Sequence, residues 1–154
     1  MVGIHAFWSQ PTLTGTEGHH LTGVKKFKMF DFELLHFVLS ALFYKKYNGP
    51  IHLYTDNTFA TYLSDNNLLN LWDFVDIGKY TEFTNLNINP KSNWTGFKTW
   101  LLSQIPSPFI LIDHDNIVYT KIPKELFDIS VRFAHLESIN LSLIHISEPT
   151  RQSP

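Results

Sequence analysis

The chain has 154 residues, 44% of them hydrophobic, enough to bury one core and too few for two ordinary domains. A formal net charge of -2 and an isoelectric point near 6.4 offer no positive field to a phosphate backbone, so nucleic acid is not an expected partner. Cysteine is absent, which excludes disulfides, thiolate catalysis and cysteine-ligated zinc.

Residues 34–44 are the longest nearly apolar run, but His36 and Ser40 interrupt it. It falls far short of the roughly 20 residues that span a bilayer, so no transmembrane segment is predicted. Residues 1–10 lack a basic start followed by an apolar stretch and a small-residue cleavage site, so no export signal is predicted and a cytoplasmic location is expected. Asn93-Trp94-Thr95 fits a glycosylation sequon but reads, in that compartment, as a helix start. The short basic clusters Lys25, Lys26, Lys28 and Lys45, Lys46 read as solvated faces.

In chain order, residues 3–8 alternate loosely and end in Ser9-Gln10-Pro11, a first strand running into a loop. Residues 12–23, rich in Gly, Thr and His, extend that loop, and the adjacent His19 and His20 read as solvated rather than ligating. Asp31 can cap a helix carrying Leu35, Val38, Leu39 and Leu42 at the 3.6-residue period. Phe32, Leu34, Phe37, Ala41 and Phe43 widen that stripe around most of the circumference, so the helix is expected to be largely buried. Lys45 and Lys46 suit its last turn, and Asn48-Gly49-Pro50 stops it.

Residues 51–54 read as a short strand, with Thr55-Asp56-Asn57 capping a helix over residues 58–63. Residues 68–77 read as a short helix and then a strand near 74–77. Ser92 or Asn93 can cap a third helix through Gln104, with Phe97, Trp100 and Leu101 inward and Pro106 enforcing its end. Residues 109–112, four apolar residues in succession, predict a central parallel strand covered on both faces. Pro123 suits the first turn of a short helix reaching Phe127, and residues 131–135 can return as a strand. This alternation predicts an α/β fold with a doubly wound, mostly parallel sheet.

The string LSLIHISEPTR at residues 141–151 matches the translation of a common transposase sequencing adaptor. Residues 1–140 are therefore read as an incomplete native domain and residues 141–154 as a non-native tail, with the native frame cut near Asn140.

Asp113-His114-Asp115 begins where the last apolar strand ends, on the carboxyl edge where open α/β sheets bind ligands. Two carboxylates about 5 Å apart repel by about 3 kcal/mol at an effective dielectric of about 20, a penalty that a cation removes. Oxygen ligands suit Mg²⁺ or Mn²⁺. The plainer alternative has Asp113 capping the following turn and Asp115 merely solvated. Alternation turns His114 away from the pair.

Trp94-Thr95-Gly96-Phe97-Lys98, a helix, then residues 108–119 with Ile122-Pro123, resembles the central block of glycosyltransferases with the type A fold. Phe7-Trp8-Ser9-Gln10-Pro11 and the strand end Leu53-Tyr54-Thr55-Asp56 resemble a little-characterised bacterial family of that kind, over roughly residues 1–138. The resemblance implies metal-dependent transfer of a sugar from a nucleotide-diphosphate donor to a glycan, lipid or protein acceptor, of which this chain is the donor-binding half. It assigns catalysis to Asp113 and Asp115, the Mn²⁺ or Mg²⁺ ion to Asp115 with Asp113, and donor contacts to Ser9, Thr55, Asp56, Lys98 and Asp113. Lys98 reads equally well as an exposed helix residue. The family also needs a later metal ligand and an acceptor-side base downstream, where Glu137 is one candidate; the activity is expected of the parent protein and the fragment itself is expected to be inactive.

Two rivals remain. An apolar strand followed by D-x-D also opens haloacid-dehalogenase-type phosphohydrolases, in which the first Asp is the nucleophile. Against this, more than a hundred residues precede Asp113, and Asn116-Ile117-Val118 stands where Gly or Thr is usual. The other rival is a non-catalytic sugar- or nucleotide-binding module, for which the 15% aromatic content supplies stacking surface.

Overall fold

The computed structural model describes residues 1–14 and 27–126. Four parallel strands form one sheet: β1 (Val2–Phe7), β2 (Ile51–Thr55), β3 (Phe74–Asp76) and β4 (Phe109–Leu111), in the spatial order β3-β2-β1-β4. Register pairs Gly3 with Ile51 and Phe7 with Thr55 on one side of β1, and Val2 with Phe109 on the other. The chain steps outward from β1 to β2 to β3, then crosses back to β4 on the opposite side of β1. The carboxyl ends of β1 and β4 therefore flank a topological switch point, where such sheets leave a crevice for ligands.

Two apolar layers sandwich the sheet, because successive strand side chains alternate between faces. On one face Leu53, Ile51, Ile112 and Phe7 meet helix α2 (Asp31–Tyr47) and helix α3 (Asn57–Asp65) through Phe37, Ala41, Tyr44, Phe59 and Leu63. On the other, Ile4 and Trp8 meet Phe83 of α4 (Gly78–Thr84) and Phe97 and Leu101 of α5 (Gly96–Leu102). The expected α/β class, with helices on both faces of a parallel sheet, is the one observed. Beyond Ile122 the described residues hold a 3-10 turn at Lys124–Leu126, agreeing with the short helix expected after Pro123.

Several elements differ from expectation. Helix α1 (Gln10–Thr14) occupies part of the expected loop, its first turn closed by the Leu13 amide on the Ser9 carbonyl at 3.0 Å. The remainder of that loop, with His19 and His20, and the strand expected at 131–135, Glu137 and the tail 141–154 lie outside the described residues. Asp31 is the first helical residue rather than the cap; Glu33 reaches back to the Phe30 amide at 3.2 Å and satisfies that end of α2.

The buried stripe of α2 is Phe37, Ser40, Ala41 and Tyr44, not the expected Leu35, Val38, Leu39 and Leu42. Leu35 is 56% exposed and Phe32 61%, so the helix is buried along one face only. The two stripes share one period and lie about 200° apart, because each residue turns the helix by about 100°. Periodicity cannot choose between faces of a helix that is apolar nearly all round. The choice follows from fit: the Tyr44 ring lies over Gly3, where an added Cβ would sit 2.5 Å from Cε1.

Strand β4 lies at an edge of the described sheet, not at its centre, and its residues are only partly buried. The central position belongs to β1, where Gly3, Ile4 and His5 are fully buried in succession. Helix α4 was not anticipated: Asp76 caps it at the Lys79 amide, 2.8 Å, and Lys79 pairs with Glu82 at 2.9 Å. Helix α5 starts at Gly96, later than Ser92 or Asn93, after a turn closed by Gly96 N–H on the Asn93 carbonyl at 3.0 Å. It ends at Leu102, short of Gln104.

Candidate functional site

Past β4 the chain makes a tight turn from Asp113 to Asn116, closed by the Asn116 amide on the Asp113 carbonyl at 2.9 Å. The turn gathers Asp113, His114 and Asp115 so that one ligand atom from each lies within 4.8 Å of the others. Opposite ligands around an ion at about 2.1 Å are about 4.2 Å apart, so a small adjustment of side chains would close the set on a divalent cation. In this donor set the two carboxylates fit Mn²⁺ or Mg²⁺ in kind, while the imidazole is a ligand more typical of the later transition metals.

His114 therefore belongs to the cluster that alternation was expected to exclude it from. A turn, unlike a strand, does not alternate. The ring also packs edge-on against Phe7 and Phe37, with centroids 5.8 and 6.0 Å away. Burial pushes its pKa down, with Lys98 acting in the same direction against the opposing pull of Asp115 and Asp113. A neutral imidazole is the form that binds metal.

Lys98 projects from the first turn of α5 onto the Asp113 carboxylate, and the two form an ion pair. Its side chain is 24% exposed, so it is no freely solvated helix residue. A cation so near a helix start runs against the helix dipole, and the carboxylate offsets that cost. Lys98 and His114 line one wall of an apolar pocket whose other walls include Trp8, Phe30, Glu33 and Trp94. Trp8 is fixed there by its indole N–H on the Trp94 carbonyl.

Ser9, Thr55 and Asp56 form a second group at the ends of β1 and β2. Asp56 caps α3 by accepting the Phe59 amide at 2.8 Å, and its other oxygen accepts the Ser9 amide. Its carboxylate is thus committed to tying the β1 exit to α3. The hydroxyls of Ser9 and Thr55 are completely buried and lack a hydrogen-bond partner among the described residues. The Asp56 carboxylate thus holds the rim together and the Ser9 and Thr55 side chains are buried rather than facing solvent, while Asp56 also borders a groove with Asn57 and Tyr80.

Sequence reasoning passed over His5. It is fully buried on β1, stacked on Phe37 at 4.7 Å, and bonded to Ser40 and Trp72. Burial, aided by His114 and Lys98, lowers its pKa to about 3. The available signal was position: in a strand with Gly3 and Phe7 on the helix-covered face, His5 falls on that same face.

The fold and site define an α/β protein with a parallel sheet and an Asp-His-Asp cluster at the carboxyl edge beside its switch point. The chain belongs to DUF6734, a family of unknown function, which it matches over residues 1–143. No curated protein and no solved structure matches the chain. Among the described residues no helix is long and apolar enough to cross a membrane.

Proposed function

We propose that the chain is the donor-binding half of a metal-dependent glycosyltransferase, acting on a nucleotide-diphosphate sugar and a glycan, lipid or protein acceptor. The observation that carries this reading is the Asp113, His114 and Asp115 cluster at the carboxyl end of β4, beside the β1 switch point and the Lys98 pocket. The β3-β2-β1-β4 parallel order supports it, since this crevice is where open α/β sheets take nucleotides.

Asp115 and His114 would hold the ion, with Asp113 joining through the carboxylate oxygen that Lys98 leaves free. A divalent cation bound there would neutralise charge developing on the leaving diphosphate. Lys98 would contribute a second positive charge on the donor side, alternating between Asp113 and a phosphate oxygen. Trp94, 60% exposed at the pocket mouth, offers a flat apolar face for a ring of the donor.

Titrating Mn²⁺ into the protein and following the free-ion electron paramagnetic resonance signal tests the reading. One bound ion in the wild type, lost in Asp115→Asn, supports it. No Mn²⁺ uptake, even with nucleoside diphosphate present, counts against it.

A further inference from the structure

The turn that carries the carboxylates is held from beneath by a chain of buried hydrogen bonds. Trp72 Nε1–H lies 3.1 Å from His5 Nδ1, and His5 Nε2 lies 3.0 Å from Ser40 Oγ. Ser40 Oγ in turn bonds the Asn116 carbonyl oxygen. The directions of these bonds are determined. An indole nitrogen only donates, so Nδ1 of His5 must accept and the ring proton sits on Nε2. Nε2 then donates to Ser40, whose own proton is left for the Asn116 carbonyl, which can only accept.

Every member of the chain is used, and its three side chains come from different elements: Trp72 from the connection before β3, His5 from the central strand and Ser40 from α2. His5 and Ser40 are completely buried and Trp72 nearly so. A satisfied polar chain in an aromatic core fixes geometry, because any shift leaves a buried donor or acceptor unpaired. Its outer end is Asn116, which also closes the Asp113 turn.

We infer that the Trp72, His5, Ser40 and Asn116 chain is the device that sets the Asp113–Asn116 turn, making His5 and Ser40 positioning residues for the carboxylate pair. The part of this inference that concerns a cation rests on the proposed function; the part that concerns the turn does not. Neither side chain would touch the ion or the donor. Each acts by denying the turn an alternative arrangement.

The test uses the full chain. In the wild type at pH 7, long-range proton–nitrogen correlation spectra should show His5 neutral with its proton on Nε2. A proton on Nδ1 would overturn the inference, because Ser40 would then donate to His5 and leave Asn116 unheld. This measurement can overturn the inference even if the Ser40 variants fold poorly. Ser40→Ala should speed exchange of the Asn116 amide about tenfold, the loss of one hydrogen bond of ordinary net strength, while β1 amides stay protected. Mn²⁺ affinity should weaken several-fold, and Ser40→Thr, which keeps the hydroxyl, should restore both. Unchanged exchange and unchanged Mn²⁺ affinity in Ser40→Ala would also overturn it. Faster Asn116 exchange in a protein whose wild type takes up no Mn²⁺ would uphold the positioning role and overturn the metal reading alone.

Discussion

The Lys98 ammonium rests on the Asp113 carboxylate, joining the first turn of α5 to the turn after β4. A cation of the protein thus occupies one oxygen of the pair to which an external cation is assigned. On the proposed reading Lys98 and a metal would compete for Asp113 and cooperate on a diphosphate. Lys98→Met should therefore tighten Mn²⁺ alone several-fold and weaken nucleoside diphosphate in the presence of Mn²⁺. Its effect on stability should stay within about 1 kcal/mol, as for other partly exposed pairs. Paired titrations of metal and nucleotide check the opposite signs; a loss of both affinities would mean that Lys98 merely props up the turn.

Gly3 tests the close approach of α2 to the sheet. A Cβ there would meet the Tyr44 ring at 2.5 to 2.9 Å, and Tyr44 is fully buried with its hydroxyl on the Met1 carbonyl at 3.1 Å. Gly3→Ala should cost about 2 kcal/mol, the usual range for an overpacked core. Thermal unfolding reads this directly, and an unchanged midpoint would show that the ring has room to move.

The two faces of α2 should respond unequally. Phe37→Ala, at a fully buried ring packed on His5, Phe59 and Trp72, should cost about 3–5 kcal/mol. Leu35→Ala should cost about 0.5 kcal/mol or less, since that side chain is 56% exposed. Urea denaturation of both variants distinguishes the faces, and equal losses would contradict the orientation of the helix.

This helix also marks where sequence reasoning reached its limit. Its existence, its ends at Asp31 and Tyr47, and the Asn48-Gly49 stop with Gly49 at φ 121° follow from local chemistry. Its inward face does not, because Leu35 and Phe37 are equally apolar and only the Gly3 clearance and the His5 stack separate them. Strand β4 was legible as a parallel strand but not as an edge, since four apolar residues say nothing of how many neighbours a strand has. Asp56 was legible as a cap, and capping is the role its carboxylate fills. Asp113 and Asp115 could be located from the strand that precedes them. The Lys98 pair and the His114 contribution depend on a turn and on a helix fifteen residues away.

Acid should destabilise the fold through His5. Its folded pKa of about 3 lies below the unfolded value near 6.5, so the unfolded chain takes up a proton that the folded one refuses. Stability is then fully present above about pH 6.5 and is lost as pH falls toward 3, at roughly 1 kcal/mol per pH unit. His114, also pushed down by burial, adds to the same trend. Urea midpoints at pH 7 and pH 5 should fall for the wild type and fall less for His5→Gln. Parallel behaviour of the two would show that His5 does not carry the dependence.

The measurement closest to the central claim is calorimetric titration of a nucleoside diphosphate into the protein with and without Mn²⁺, repeated on Asp115→Asn. That substitution nearly preserves shape while removing one carboxylate charge, so a change in binding reports on charge at the site rather than on the fold. Binding should require Mn²⁺ in the wild type and disappear in Asp115→Asn. Binding that is independent of metal, or unchanged in the variant, would contradict it.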